Sequence, residues 1–327
     1  MRDLILALNW IQENVASFGG DPQRVTIGGQ SAGAKLTDLL MGVPSATPLF
    51  HQMISESGGA DRVWPHTKAL EIGETFNKVW RSSGSASAES ILTADTKALR
   101  LAQSRLVQEC PVHFPLRAEI DGSLMPRPPL STIRGGSTRG KRLLIGTNRD
   151  ESAFFIGPHP QREPSDQDLG NMPVQAFGPI QDTYATAFPS LDPELRRIRS
   201  VTAEEYWLPS MRVLQAHVAG GNEAYLFRMD YPGTGRFANL AIHSQELRFV
   251  WDQLGPNSGP DARRLAHSMH EAWVNFIQGK PPSTADLPVW PPFRAGDQMT
   301  MIFDAKSHLE RSPQAAELAL WNGIMTD

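Results

Sequence analysis

The chain alternates between stretches with helical spacing of apolar residues and short apolar runs that are typical of β-strands. In residues 3–18, apolar side chains recur at steps of four and three and therefore share one face of a predicted helix. These side chains are Leu4, Leu8, Ile11, Val15 and Phe18. The sequence GGDP at 19–22 ends this helix, because glycine and proline both interrupt helical backbone.

The rest of the chain predicts further helices and strands in alternation. Helical spacing returns over residues 32–41, 66–108, 176–218 and 264–279. Short apolar runs predict strands over residues 24–28, 50–59, 141–148, 223–230 and 298–304. Residues 157–172 are polar and rich in proline, which is typical of a loop. Since strands alternate with helices, we expect an α/β fold with a mainly parallel sheet and helices on both faces.

Composition and charge narrow the classes of function. The chain has 327 residues, of which 40% are hydrophobic and 20% charged, as in ordinary globular proteins. Its net charge of −4 gives no electrostatic reason to expect nucleic acid or an anionic membrane as a partner. No apolar run is long enough to span a bilayer. The opening MRDLILALNW has an early acid and no small-residue cleavage site, so we predict no signal peptide in this chain and leave its compartment open.

Three features resemble functional motifs but predict no site. Cys110 is the single cysteine, which excludes an internal disulfide, and its neighbours favour a buried thiol. The stretch GGSTRGKR resembles a phosphate-binding loop, but Arg142 follows the lysine and the glycines precede a strand instead of following one. His267 and His270 share a predicted helix, but no further set of metal ligands is evident in the sequence. We therefore expect neither a metal nor a nucleotide.

The stretch VTIGGQSAGA, at residues 25–34, is the strongest candidate for chemistry. It contains the pattern G-x-S-x-G, in which Ser31 stands at a sharp turn from strand to helix. Gly29 and Gly33 let the helix start against the neighbouring strands, and Ala32 offers a backbone N–H to an oxyanion at the helix N-terminus. A glycine-rich turn before a helix has the same composition, so the match indicates a nucleophile only together with suitable partners.

A serine nucleophile needs a base and an acid that orients the base, and here they are expected in the order Ser, acid, His. His243 follows the strand predicted at 223–230. Asp150 and Glu151 both follow the strand predicted at 141–148. Position alone leaves either carboxylate as the acid.

Five segments in sequence order resemble the type-B carboxylesterase family of α/β-hydrolases, which includes the cholinesterases and the bacterial p-nitrobenzyl esterases. They are ALNWIQENVASFGGDPQRVTIGGQSAGA, HQMISESGG, GTNRDESAFF, AIHSQEL and the C-terminal series AWVNFIQGKPP, WPPF and MIFD. The resemblance implies an α/β-hydrolase fold with Ser31 as nucleophile, Glu151 as acid and His243 as general base. It also implies hydrolysis of a small-molecule carboxylic ester through an acyl-enzyme, with no metal or organic cofactor.

The resemblance assigns supporting roles to further residues. Ser57 matches a serine that supports the acid, and Trp64 resembles a tryptophan of the acyl pocket; a turn hydroxyl and a core aromatic are the alternatives. Gln30 stands where the family has glutamate, which removes an anion beside the site and favours neutral over cationic esters. Ser152 replaces the glycine that follows the acid in the family. Glu246 is expected to be structural.

The family carries an H-G-G-G loop before the serine turn that supplies oxyanion donors, and this motif does not occur in the chain. The resemblance therefore implies one α/β-hydrolase domain over 1–327, truncated at its N-terminus, with a mostly helical insertion at about 158–220. Ala32 is then the remaining oxyanion donor, and the strand before Ser31 lies at an unpaired sheet edge. The alternative is a weak or inactive homologue that serves as an interaction module or remnant. Neither acyl-chain length nor oligomeric state is predicted.

Overall fold

The structure, a computed structural model, describes residues 1–82, 88–110, 114–157 and 174–324. Its helices are α1 (Arg2–Asn14), α2 (Ala32–Met41), α3 (His66–Ser82), α4 (Thr96–Glu109), α5 (Pro129–Arg134), α6 (Ala153–Ile156), α7 (Val174–Ala187), α8 (Pro193–Thr202), α9 (Leu208–Ala219), α10 (Leu247–Val250), α11 (Pro260–Ile277) and α12 (Ala315–Leu320). Its strands are β1 (Thr26–Gln30), β2 (Gln52–Glu56), β3 (Val63–Pro65), β4 (Ala118–Ile120), β5 (Arg142–Asn148), β6 (Glu223–Met229), β7 (Met299–Phe303) and β8 (His308–Arg311). No helix in this part of the chain is long and apolar enough to cross a membrane.

Six strands form a mainly parallel sheet in the order β1-β2-β5-β6-β7-β8. The first five are parallel, and β8 is antiparallel to β7. In the central register, Leu144 of β5 lies beside Ile54 of β2 on one side and Tyr225 of β6 on the other. Because parallel strands end at the same edge of a sheet, the segments that follow β1, β2, β5 and β6 meet there.

Helices cover both faces of this sheet and form two hydrophobic cores. Side chains along β5 alternate between the cores, since successive residues of a strand point to opposite faces. Leu143 and Ile145 pack with side chains of α1, α2 and α9, whereas Leu144 packs with side chains of α11. The α/β fold with helices on both faces, predicted from the alternation of elements, is thus confirmed.

Two features of the sheets were not predicted. Strands β3 and β4 form a separate parallel pair of three residues each, which is too short to leave a periodic pattern in the sequence. Strand β8 has no buried residue, so no apolar run marks it. All three strands are recognised from backbone pairing rather than from their composition.

The strand before Ser31 begins two residues later than its predicted range of 24–28. Arg24 instead closes a short 3₁₀ turn, Pro22–Arg24, in which the side chain of Asp21 accepts a hydrogen bond from the backbone N–H of Gln23 at 2.8 Å. Strand β1 then continues through both glycines, because every residue from Thr26 to Gln30 pairs with β2. Helix α2, in contrast, has its predicted bounds.

The loop predicted at 157–172 lies, apart from its first residue, outside the described residues. The proposed insertion at about 158–220 lies partly outside them as well. Its described part contains α7, α8 and α9, of which the last two are joined by a π-helical turn at Ala203–Trp207. That the chain is one domain interrupted by this segment stays a proposal.

Strand β1 lies at the edge of the larger sheet, where its partner among the described strands is β2. A cavity of about 530 Å³ extends from the β1 glycines to aromatic and aliphatic side chains of α11 and the preceding turn. The expectation that the strand before Ser31 is an edge strand is confirmed.

Candidate active site

Ser31 stands alone between β1 and α2, at the turn that the sequence predicts. Its backbone has φ 56° and ψ −118°, a conformation that residues with a side chain rarely adopt. Its N–H donates to the carbonyl of Glu56 at 2.9 Å, which extends the β1–β2 pairing by one residue. Its carbonyl accepts from the N–H of Lys35 at 2.9 Å, which starts α2. The turn is therefore held from both sides, and strain at Ser31 is maintained by the elements that it joins.

The two glycines beside Ser31 have different roles. A Cβ at Gly29 would lie 2.3 Å from the carbonyl carbon of Gly33 and 2.7 Å from the backbone nitrogen of Ala34. A Cβ at Gly33 would have no heavy atom of the described residues within 4 Å apart from its own helix backbone and chain neighbours. The prediction that close approach requires both glycines is therefore wrong for Gly33: only Gly29 needs to lack a side chain.

Glu151 connects three segments at the carboxyl ends of the strands. Its Oε2 lies 2.5 Å from Nδ1 of His243. Its Oε1 accepts hydrogen bonds from the hydroxyl of Ser57 and from the backbone N–H of Asn148, the latter at 2.7 Å. Both oxygens of this fully buried carboxylate are thus engaged, and the imidazole ring is fixed on one side.

Asp150, the alternative acid, faces away from the histidine. It pairs with Arg149 at 2.9 Å and accepts from the backbone N–H of Ala241 at 3.0 Å, so it joins the two loops instead of orienting the ring. Geometry therefore favours Glu151 as the partner of His243.

The His243 ring is almost completely buried and packs against two aromatic side chains. The ring centroids of Tyr206 and Phe155 lie 4.8 Å and 5.1 Å from its own. Nε2 of His243 lies 3.4 Å from Nε2 of Gln30, and no hydrogen bond joins it to Ser31 within the described ranges. With a proton on Nδ1 facing Glu151, Nε2 keeps a lone pair, which is the form a general base requires.

Ser31 opens into a cavity of about 620 Å³, a size typical of small-molecule sites. Its lining is predominantly apolar by area, with a few charged groups. The lining residues are Ser31, Ala32, Lys35, Leu36, Leu39, Arg62, Phe114, Leu116, Arg117, Ala118, Phe155, Glu205 and Tyr206. Ala32 is the first residue of α2, so its N–H lacks an acceptor within the helix and is available beside Ser31.

A buried charge network borders this cavity, and the sequence analysis did not identify it. Glu205 lies 2.5 Å from Nζ of Lys35 and 3.2 Å from the guanidinium of Arg62. Burial opposes ionisation of Glu205, but Arg62 and Lys35 outweigh it and lower its pKa to about 2. Glu204 also contacts Arg62, at 3.3 Å, and burial raises its pKa to about 7. The adjacent acids in AEEYW, within an otherwise apolar helical stretch, were the available signal.

Trp64 lies outside the lining of the cavity. Its indole N–H donates to the carbonyl of Pro115 at 2.7 Å, and the guanidinium of Arg117 lies 4.2 Å from its ring centroid. Among the described contacts, Trp64 therefore adjoins the cavity through Arg117 and the backbone of Pro115, and its part in substrate binding stays a prediction.

Glu246 lies behind the Glu151–His243 pair. Its carboxylate accepts from the side chain of Asn148, and burial, with Glu151 and Glu56 nearby, raises its pKa well above the usual range. It lines neither of the two cavities described above, in keeping with the structural role expected for it. Within the described ranges, no three histidine, cysteine or acidic side chains are grouped as metal ligands.

Comparison with known proteins supplies independent evidence on ancestry. The family described as "Carboxylesterase family" matches residues 1–321. The para-nitrobenzyl esterase of Bacillus subtilis (strain 168) is 27% identical over 96% of this chain and 65% of its own length. The phenmedipham hydrolase of Pseudarthrobacter oxydans is 30% identical over 92% of this chain and 64% of its own length. The chain thus spans slightly less than two thirds of these curated relatives.

Solved structures agree with these sequence matches. A PNB esterase superposes with a TM-score of 0.83 at 27% identity, covering 97% of this chain and 68% of that chain. The carboxylesterase EST55 of Geobacillus stearothermophilus, at pH 6.2, superposes with a TM-score of 0.80 at 28% identity, covering 98% of this chain and 68% of that chain. The fold and the order of its elements are therefore shared over nearly the whole of residues 1–327.

Proposed function

The chain belongs to the carboxylesterase family, and on this basis we propose that it hydrolyses carboxylic esters through Ser31, His243 and Glu151. The observation that carries the proposal is the position of Glu151, which bonds Nδ1 of His243 while the ring faces the Ser31 turn. The names of the relatives, an esterase and a hydrolase, support the same reaction class.

The first step forms an acyl-enzyme. Ser31 Oγ attacks the ester carbonyl carbon while its proton moves to Nε2 of His243. The carbon–oxygen bond to the alcohol then breaks, and the imidazolium gives its proton to the departing oxygen. Glu151 keeps the ring in position and stabilises its positive charge, because its Oε2 lies 2.5 Å from Nδ1.

The second step releases the acid. Water attacks the acyl carbon while His243 takes one of its protons, and the bond from the acyl carbon to Ser31 Oγ breaks. The proton on His243 returns to Ser31 Oγ, so the enzyme is regenerated without a metal or an organic cofactor. In both steps the backbone N–H of Ala32 faces the negative oxygen, and losing one such donor typically costs about 10²–10³ in rate.

The charge beside the histidine bears on the substrate. Gln30 is neutral and lies 3.4 Å from Nε2 of His243, where a glutamate would supply a second anion. We therefore propose neutral esters in preference to cationic ones. Turnover of butyrylthiocholine in preference to p-nitrophenyl butyrate would contradict this choice.

Covalent labelling tests the proposal directly. We expect a fluorophosphonate probe to label the purified protein at Ser31, and peptide mass spectrometry identifies the modified residue. Ser31→Ala abolishes both the labelling and the hydrolysis of p-nitrophenyl butyrate, whereas Ser131→Ala, an exposed control, changes neither. An unlabelled Ser31 in correctly folded protein would favour the alternative of an inactive interaction module.

A further inference from the structure

The cavity that contains Ser31 carries more positive than negative side chains. Three cations line it, namely Lys35, Arg62 and Arg117, together with one carboxylate, Glu205. Charged groups in a low-dielectric cavity act strongly on a ligand. Which substrates the cavity favours therefore depends on which of these cations are paired with acids of the protein.

Two of these cations are committed to acids of the protein. Lys35 and Arg62 share Glu205, at 2.5 Å and 3.2 Å, and Arg62 also contacts Glu204 at 3.3 Å. The neighbouring acid Asp61 is held in turn by Arg212 at 3.1 Å. Glu204, Glu205 and Asp61 therefore each lie at ion-pair distance from a cation other than Arg117.

Arg117 has no carboxylate at ion-pair distance among the described residues. Its Nε donates to the carbonyl of Phe114 at 2.8 Å, and its guanidinium lies 4.2 Å from the ring centroid of Trp64. Trp64 is itself anchored by a hydrogen bond to Pro115 at 2.7 Å. The guanidinium is thus held in place while no described residue accepts a hydrogen bond from its two terminal nitrogens.

The surroundings of Arg117 suit an anion. Burial and the neighbouring Arg62 outweigh the opposing effect of the acids Glu205, Glu204 and Asp61 and lower the pKa of Arg117 to about 10, so it remains charged at neutral pH. A guanidinium with two free nitrogens matches the two oxygens of a carboxylate. Leu36, Leu39 and Phe155 supply apolar lining for a hydrocarbon chain in the same cavity.

We infer that this site favours esters whose acyl chain ends in a carboxylate, with Arg117 binding that carboxylate through its terminal nitrogens. The inference rests on the proposed ester hydrolysis and specifies its substrate as a hemiester of a dicarboxylic acid. The acyl chain of such a substrate ends in a carboxylate instead of an uncharged group. We place the anion on the acyl chain because that part stays in the cavity after the alcohol leaves, so the contact acts in both steps. Trp64 is then a positioning residue that acts through Arg117.

Matched substrates test the inference. Mono-p-nitrophenyl glutarate and p-nitrophenyl pentanoate have the same chain length and leaving group and differ in a terminal carboxylate. We expect kcat/KM to be higher for the glutarate by about tenfold or more, the range of a charge-assisted hydrogen-bonded pair. Arg117→Gln removes this preference, and Arg117→Lys, which keeps the charge but loses the planar fork, restores part of it.

The controls separate this inference from the proposed function. Arg134→Gln, which removes an exposed cation outside the cavity, leaves the glutarate-to-pentanoate ratio unchanged. Hydrolysis of pentanoate without a glutarate preference, or a preference that survives Arg117→Gln, overturns the inference alone. If neither ester is hydrolysed, the proposed function fails, and calorimetric titration with glutarate still decides: binding lost in Arg117→Gln supports the anion site, and absent binding overturns it.

Discussion

Asp38 is a buried carboxyl group beneath the serine turn. Its Oδ2 accepts from the backbone N–H of Gly59 at 2.6 Å and from the hydroxyl of Ser55 at 2.9 Å, while Oδ1 has no hydrogen-bond partner among the described residues. Burial raises its pKa from 3.8 to about 7, against the opposing effect of these two donors. The residue links α2 to the segment after β2, so its protonation affects the elements that hold Ser31.

The raised pKa sets the sign of a pH effect on stability. Between about pH 4 and pH 7 the folded chain retains a proton on Asp38 that the unfolded chain releases, so stability falls as pH rises through this window. Between pH 5 and pH 8, the free energy of unfolding should therefore fall by on the order of 2 kcal/mol less in Asp38→Asn, which cannot ionise, than in the parent protein. Urea unfolding followed by tryptophan fluorescence measures this free energy at each pH. Asp182→Asn, at an exposed position, is the control, and an unchanged pH dependence in Asp38→Asn would refute the assignment.

The sequence allowed some of the site to be predicted at the level of residues. Ser31 could be found because its turn needs small neighbours, and His243 because a parallel sheet brings the ends of its strands together. Arg117 could not, since nothing in PLRAEI marks it. Its character depends on stacking against Trp64 and on cations elsewhere satisfying the nearby acids, and both are products of tertiary packing.

The turn between β1 and α2 is the element on which the proposed chemistry depends. Strand pairing fixes β1 against β2 up to Gln30, and α2 begins only two residues later. The approach is so close that the backbone at Gly33 occupies the space that a side chain at Gly29 would need. The bounds of α2 were predictable because its apolar spacing starts abruptly after the turn and ends at Gly42 and Pro44.

The two glycines of the turn provide a matched pair of variants. We expect Gly29→Ala to lower stability by about 2 kcal/mol or more, because its Cβ would lie 2.3 Å from backbone that cannot move without shifting α2. Gly33→Ala has open space and replaces a helical glycine, so it should be neutral or stabilise by up to about 1 kcal/mol. Thermal unfolding of both variants distinguishes them, and equal melting temperatures would contradict the packing argument.

On the scale of the whole molecule, large apolar side chains are exposed on and just after α1, the helix that precedes the edge strand β1. Helix α1 is attached near the start of this strand, where Gln12 donates to the carbonyls of Pro22 and Leu49, both at 3.0 Å. On its outer side, Leu6 is 70% exposed, Trp10 53% and the following Phe18 75%. Exposed apolar patches beside an unpaired strand are sites of self-association.

We expect the purified polypeptide of residues 1–327 to self-associate at micromolar concentration through this region. The double variant Trp10→Glu and Phe18→Glu should shift it towards the monomer, since the two rings lie 5.9 Å apart and form one patch. Size-exclusion chromatography with light scattering measures the mass. Leu92→Glu, at an isolated residue that is 91% exposed, is the control and should leave the mass unchanged. Monomeric parent protein would contradict the expectation.

The order of strands was less accessible from sequence than their existence. Alternating elements predict a parallel sheet but not that β2 and β5 are neighbours. They are neighbours because the segment between them, which contains α3 and α4, adds no strand to the larger sheet. The pair β3–β4 forms within that segment, and Arg117, the residue before β4, lines the cavity. Such short pairings depend on contacts between distant segments, which local periodicity does not record.

The residues proposed for catalysis and the residue proposed for substrate selectivity, Arg117, lie on different parts of the fold. Ser31, Glu151 and His243 follow the ends of strands in the larger sheet, whereas Arg117 belongs to the segment between β2 and β5. Mutations near Arg117 are therefore expected to alter which ester is accepted without moving the groups proposed to cleave it, whereas Ser57, in the same segment, hydrogen-bonds Glu151 and is left unchanged. Natural selection, or a directed-evolution library confined to residues 60–120, is therefore expected to change the proposed ester preference while the three residues proposed for catalysis keep their identities.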